Sequence, residues 1–171
     1  MKNLKVLISE YEIEKREEEL AKEIMEKYNG ENLVLLCILK GSVIFMSQLA
    51  KLIRGNNIEF EFIELSSYFG TESTGTIILN KDIKNSIKGK HVLIIEDIID
   101  TGRTIKYLKK HLEEKEPKNI EVCTLLDKPS RRVVEINAEY VGFEIEDKFV
   151  VGYGLDYNEK YRNLPYIGYF E

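Results

Sequence analysis

A buried-looking run, Val92-Leu93-Ile94-Ile95, leads directly into two carboxylates, Glu96 and Asp97, then Ile98 and Ile99, then Asp100-Thr101-Gly102-Arg103-Thr104. The four apolar residues predict an interior strand, ended by the acidic pair. A short turn then carries Asp, Thr and Gly into a helical pattern. Strand, short loop and helix start form an anion cradle, because successive backbone N–H groups and the helix N-terminus converge on one point. The hydroxyls of Thr101 and Thr104 can donate to the same anion, and Gly102 lets the backbone come close. Carboxylates beside an anion site need a different partner, and sugar hydroxyls or a metal would suit them. Each piece alone has a plainer meaning: Asp-Thr-Gly is a common turn and helix-cap signal, and an acidic pair can simply end a strand in water. The whole run is far more specific than its parts.

The rest of the chain alternates strands and helices. A short strand at 6–8 precedes a helix over 10–29, opened by Ser9 and Glu12 at capping-box spacing and closed near Gly30. Residues 33–39 read as a buried strand, 42–54 as a second helix and 58–67 as an alternating strand. Residues 66–75 are polar, hold two glycines and lack a period, which predicts a mobile loop. Strands follow at 76–79, 91–96, 120–126, 140–143 and 149–152, with a helix over 104–114. This order predicts an α/β fold, a mostly parallel twisted sheet flanked by helices, in one domain of 171 residues. Ligands in such sheets sit beyond the carboxyl ends of the strands. Lys40-Gly41, the acidic pair and Lys128 all fall at such ends.

The net charge of −5 argues against a dominant nucleic-acid surface. No apolar run approaches the ~20 residues of a membrane span, and the first residues show no secretory signal. Cys37 and Cys123 lie in apolar runs and read as buried free thiols. A cytoplasmic protein is expected. His91 and His111 are isolated and receive no role.

Three further segments carry chemistry. Leu39-Lys40-Gly41-Ser42 follows a strand and opens a helix, with Ser42 expected as a helix N-cap. Leu125-Leu126-Asp127-Lys128-Pro129-Ser130 ends another strand, where a lysine before proline is ordinarily a solvated turn residue. Asp147-Lys148-Phe149-Val150-Val151-Gly152-Tyr153-Gly154-Leu155-Asp156-Tyr157-Asn158-Glu159 lies near the carboxyl end, and there Phe149 would ordinarily pack in a core.

With the 92–104 run, these segments in this order resemble the type I phosphoribosyltransferases, specifically those of the hypoxanthine-guanine type, over about residues 33–162. The resemblance implies the family fold: a core of about 30–130, and a small hood from the N-terminal segment and about 131–171. It implies Mg2+-dependent transfer of phosphoribosyl from phosphoribosyl pyrophosphate to a 6-oxopurine base, yielding IMP or GMP. In that reading Glu96 and Asp97 hold the ribose hydroxyls, directly or through magnesium, and Thr101, Gly102, Arg103 and Thr104 bind the 5-phosphate. Asp100 is the catalytic residue and handles the proton on purine N7. Lys40, Gly41 and Arg162 bind pyrophosphate, and the Leu39-Lys40 peptide is typically cis in liganded relatives. Lys128 reads the purine 6-position, Phe149 stacks on the ring, and the carbonyls of Val150 and Asp156 accept from the base. Asp156 also helps hold magnesium through water. Ser67 and Tyr68 are the contact candidates of a loop that closes over the site. Relatives imply a homodimer or homotetramer, with no nucleic-acid or membrane partner. A xanthine-preferring relative, or a nucleic-acid-binding regulator that kept the fold, are the alternatives. The second would want a basic surface that this acidic chain lacks.

Overall fold

The computed structural model describes residues 3–55, 57–68 and 76–171. Strands β1 (Leu4–Ile8), β2 (Asn32–Leu39), β3 (Asn57–Tyr68), β4 (Thr76–Lys81), β5 (His91–Ile99), β6 (Asn119–Asp127), β7 (Tyr140–Glu144), β8 (Val150–Val151) and β9 (Ile167–Phe170) are joined with helices α1 (Glu10–Lys27), α2 (Val43–Leu52) and α3 (Arg103–Glu113). Six strands form the main sheet in the order β4-β3-β2-β5-β6-β7. The five from β3 to β7 pair in parallel, and β4 runs antiparallel on the β3 edge.

Period-two alternation explains why the inner strands are apolar throughout. Leu33, Leu35 and Cys37 of β2 face one layer with Leu20 and Ile24 of α1 and Phe45 and Leu49 of α2. Val34, Leu36 and Ile38 face the opposite layer with Ile105, Leu108 and Leu112 of α3. Each face of the sheet therefore has its own core. Truncating one such residue to alanine would cost about 2–5 kcal/mol.

Helix α1 begins as the sequence implies. The Glu12 N–H donates to Ser9 Oγ at 3.3 Å and the Ser9 N–H to Glu12 Oε2 at 2.8 Å, closing the capping box. It ends two residues earlier than the pattern suggests, at Lys27. Ser42 precedes α2 but makes no side-chain cap; its hydroxyl turns back and donates to the Ile38 carbonyl at 2.5 Å, fully buried. Both cysteines are buried free thiols.

A second sheet, β1-β9-β8, is antiparallel: Leu4 pairs with Phe170, and Val150 with Tyr169. Strand β9 went unread because four residues including Gly168 carry too little pattern. The expected loop at 66–75 does not begin at Ser66. Ser66, Ser67 and Tyr68 belong to β3 and pair with Ile78, Ile77 and Thr76; residues 69–75 lie outside the described residues. No described helix is long and apolar enough to cross a membrane.

Strands β2, β5 and β6 are neighbours, so their carboxyl ends bring Lys40-Gly41, Asp100-Thr101-Gly102 and Lys128 to one edge of the sheet.

Candidate active site

The acidic pair does not end its strand. Strand β5 continues to Ile99, with Glu96 opposite Thr124 and Ile98 opposite Leu126. Both carboxylates fold back on their own backbone: the Asp97 N–H donates to Glu96 Oε1 at 3.1 Å and the Ile98 N–H to Asp97 Oδ1 at 2.7 Å. Burial, and then the neighbouring Asp97 charge, pushes the Glu96 carboxyl well above its ordinary range. Burial also raises Asp97, against the pull of its hydrogen bonds and of the Arg162 charge. Two buried carboxyls side by side resist ionising together. A cation, or hydroxyl donors, placed on them would favour the charged pair.

The cradle follows immediately. Gly102 stands at the α3 N-cap with φ 83°, a left-handed conformation that suits glycine. A β-carbon there would also meet Arg132 Cδ at 2.9 Å and Val134 Cγ2 at 3.1 Å. Arg103 N–H donates to Thr101 Oγ1 at 3.4 Å. Glu96, Asp100, Thr101, Gly102 and Thr104 help line a cavity of about 90 Å3 at the start of α3. The helix N-terminus adds positive potential there, so an anion is favoured.

The cradle is braced by residues that the sequence left unread. The Arg132 guanidinium donates to the Asp100 carbonyl at 2.7 Å and pairs with Asp127. The Val133 N–H donates to the Thr101 carbonyl at 3.1 Å. Arg131 Nε reaches Asp100 Oδ1 at 3.2 Å, leaving the carboxylate partly open to solvent. Arg131 and Arg132 carry no motif of their own; the only signal was their position just after Lys128.

At the end of β2 the Leu39–Lys40 peptide is cis. Gly41 is wedged between two neighbours. A β-carbon at Gly41 would stand 1.8 Å from Asp97 Oδ2, and one at Gly154 would stand 1.8 Å from the Gly41 carbonyl oxygen. The loop after β2 therefore packs against the Asp97 side chain on one side and against the backbone of the carboxyl-terminal segment on the other. Gly154 is a further residue that sequence reasoning missed.

Lys128 is buried at 7 % exposure rather than solvated. Its ammonium donates to the Lys148 carbonyl at 2.5 Å and lies 3.7 Å from Asp147. Phe149 is 59 % exposed, so the reading as core filler fails. Its ring stands edge-on to Tyr157 at 5.7 Å and leaves a face open. Val150 is buried in β8.

Two tight turns follow, each left-handed at both central residues: Tyr153 and Gly154 between Gly152 and Leu155, then Asn158 and Glu159 between Tyr157 and Lys160. That backbone is the type I′ pattern, which ordinarily favours Gly, Asn or Asp. The second turn gathers charge. Arg162 donates to the Gly154 carbonyl at 2.7 Å and pairs with Asp156 at 2.9 Å and Glu159 at 3.3 Å. Lys40 pairs with Glu159 at 3.1 Å. Lys40 and Arg162, read separately from the sequence, therefore meet on one acidic partner that was not singled out. Among the described residues no three His, Cys, Asp or Glu side chains stand close enough together to hold a metal ion directly, so a cation on Glu96 and Asp97 would need water or substrate oxygens to complete its shell.

A family model described as a phosphoribosyl transferase domain matches residues 8–158. A hypoxanthine-guanine phosphoribosyltransferase of Streptococcus pneumoniae is 51% identical over 165 residues, covering 96% of this chain and 91% of that protein. A crystal structure of a hypoxanthine phosphoribosyltransferase from Staphylococcus aureus superposes with a TM-score of 0.93 at 49% identity, covering 98% of this chain and 91% of that one. The hypoxanthine phosphoribosyltransferase of Trypanosoma cruzi, in complex with the product IMP, gives a TM-score of 0.90 at 38% identity over 97% of this chain and 93% of that one.

Proposed function

Because the chain belongs to the phosphoribosyl transferase family, we infer that it transfers the phosphoribosyl group of phosphoribosyl pyrophosphate to hypoxanthine or guanine, releasing pyrophosphate and making IMP or GMP for purine salvage. The observation that carries this reading is the buried Lys128, one strand over from a phosphate cradle that itself adjoins a carboxylate pair. A buried ammonium can only donate, which suits the oxygen at the 6-position of these two bases.

The bond from purine nitrogen to ribose C1 forms as the bond to the pyrophosphate oxygen breaks. No protein nucleophile is needed. Thr101, Gly102, Arg103 and Thr104 hold the 5-phosphate through backbone N–H groups and hydroxyls. Glu96 and Asp97 hold the ribose hydroxyls and place negative charge near the developing cation at C1. Asp100 takes the proton from purine N7; its pairing with Arg131 is exposed and yields to a substrate. Phe149 stacks on the base, and the Val150 carbonyl accepts from the ring N–H. Lys40, Gly41 and Arg162 receive pyrophosphate. Two carboxylates that resist joint ionisation fit a hard divalent cation, which keeps one or two carboxylates and completes its shell with substrate oxygens and water. Mg2+ held by Glu96 and Asp97, with Asp156 reaching it through water, would neutralise the leaving pyrophosphate.

The enzyme works in the cytoplasm, in keeping with its two free thiols, as a homodimer or homotetramer. The exposed Phe60, Ile78 and Val133 offer apolar surface for such an assembly. The test is a product assay with magnesium, phosphoribosyl pyrophosphate and, in parallel, hypoxanthine, guanine, xanthine, adenine and uracil. IMP and GMP are expected as the dominant products. Dominant AMP or UMP, or no nucleotide at all, would overturn the reading.

A further inference from the structure

Tyr153 occupies a position that its own chemistry disfavours. Its φ is 49° in a turn where both central residues are left-handed. A bulky residue held there is strained and persists only where its surroundings fix it. Two contacts do so. The Tyr153 N–H donates to the Leu164 carbonyl at 2.9 Å. The Tyr153 hydroxyl donates to Glu17 Oε1 at 2.6 Å, across a separation of 136 residues. Both side chains are buried, Glu17 at 2 % exposure and Tyr153 at 6 %. Glu17 is otherwise hard to explain, since α1 needs only apolar residues on this face.

What the bond fixes lies one residue on. Gly154 is pressed on the Gly41 carbonyl, and Gly41 on the Asp97 carboxylate. Arg162 also holds Gly154, through donation to its carbonyl and through the Gly154 N–H donated to the Arg162 carbonyl at 2.9 Å. A shift of Tyr153 therefore moves Gly154, and with it Gly41 and Arg162, two of the three residues read as pyrophosphate ligands. The 5-phosphate cradle on α3 has no part in this chain of contacts.

We propose that Glu17 and Tyr153 form a positioning pair that sets the Gly154-Gly41 contact and so tunes affinity for pyrophosphate and for the pyrophosphoryl end of the sugar donor. The proposal rests on the reading of this site as one that releases pyrophosphate. It assigns a functional role to a residue of α1 that is read as touching no substrate.

The test removes the bond from either side, with Tyr153→Phe and Glu17→Met, and measures binding of magnesium pyrophosphate and of IMP by calorimetry. KM for phosphoribosyl pyrophosphate and for hypoxanthine is measured beside it. Pyrophosphate affinity should fall about 10-fold, given that a displacement near 1 Å can cost ~100-fold, and KM for phosphoribosyl pyrophosphate should rise in step. IMP affinity and KM for hypoxanthine should change far less, because the 5-phosphate cradle and Lys128 lie outside this chain of contacts. Glu17→Gln should bind pyrophosphate like wild type, because its amide oxygen still accepts from the tyrosine hydroxyl. Leu20→Val, a core change in the same helix, should lower the melting temperature without moving pyrophosphate affinity. Equal weakening of pyrophosphate and IMP, or unchanged pyrophosphate affinity in whichever bond-deleting variant folds, would overturn the proposal. So would Glu17→Gln as weak as Glu17→Met. A wild-type protein that binds both ligands yet makes no purine nucleotide would sink the functional reading instead, while the binding comparison would still judge this one.

Discussion

The two halves of the site are built differently. The cradle proposed for phosphate sits on β5 and α3, regular elements whose apolar residues are locked into the two core layers. The segment opposite it, from Phe149 to Arg162, holds one strand of two residues and four non-glycine residues with left-handed backbone, Tyr153, Asn158, Glu159 and Tyr161. Packing places the first half. A few specific polar bonds place the second: Tyr153 to Glu17, Arg162 to Gly154 and Lys128 to Lys148. Changes in the cradle should therefore remove the chemistry, whereas changes in the facing segment should shift affinity for one substrate group at a time.

The largest effect expected is in the cradle. Asp100→Asn should keep fold and substrate affinity but lower the chemical step by ~10²–10⁴-fold, the usual contribution of a positioned base. Single-turnover kinetics is the measurement, because product release can hide the loss. Turnover within a few-fold of wild type would mean that Asp100 is not the base.

Gly41→Ala probes where the halves touch. The added methyl would lie 1.8 Å from Asp97 Oδ2, so the loop or the Asp97 carboxylate must shift. KM for phosphoribosyl pyrophosphate should rise by roughly 100-fold, with a small change in IMP affinity. Equal losses for both ligands would erase the distinction between the halves.

The smallest effect is a pH dependence of stability. Burial pushes the Glu17 carboxyl up to about 7, partly opposed by the Tyr153 hydrogen bond, with Glu14 raising it and Lys51 lowering it. The folded state thus holds this proton more tightly than the unfolded chain, whose value is 4.5. The resulting stabilisation is present in full below 4.5 and is lost as pH rises through about 7. Glu96 and Asp97 run in the same direction. Denaturant titrations should show wild type losing stability relative to Glu17→Gln between these pH values, with a constant difference above them. A difference independent of pH would show that Glu17 is ionised at an ordinary value.

How much was legible follows the same division. The 92–104 run announced strand, acidic pair, turn and helix because continuous burial leaves a continuous apolar pattern; the strand end was placed three residues early and the helix start one residue late. Lys40, Lys128 and Arg162 could be singled out through motifs, but their partners could not. Glu159, Arg131, Arg132, Glu17 and Gly154 act through contacts between distant segments that no local period records. Glu17 sits on the α1 face of Ile13, Leu20 and Ile24, so the helical period marks it as a buried carboxyl, but its tyrosine partner lies too far along the chain for any local pattern to show. Ser42 illustrates the converse: a good cap residue whose hydroxyl found a nearer carbonyl.

The central claim, that Lys128 and the facing segment read a 6-oxopurine, is tested most directly by kcat/KM for hypoxanthine over adenine in wild type and Lys128→Gln. Hypoxanthine offers the ammonium an oxygen and the Val150 carbonyl a ring N–H; adenine offers neither. Wild type should favour hypoxanthine by roughly 10⁴-fold. The glutamine amide can donate or accept, so the ratio should fall by about 10-fold to 100-fold, in line with ~1–3 kcal/mol for an unpaired buried group. A ratio unchanged by the substitution would contradict the account and return Lys128 to a structural role, holding the Lys148 carbonyl.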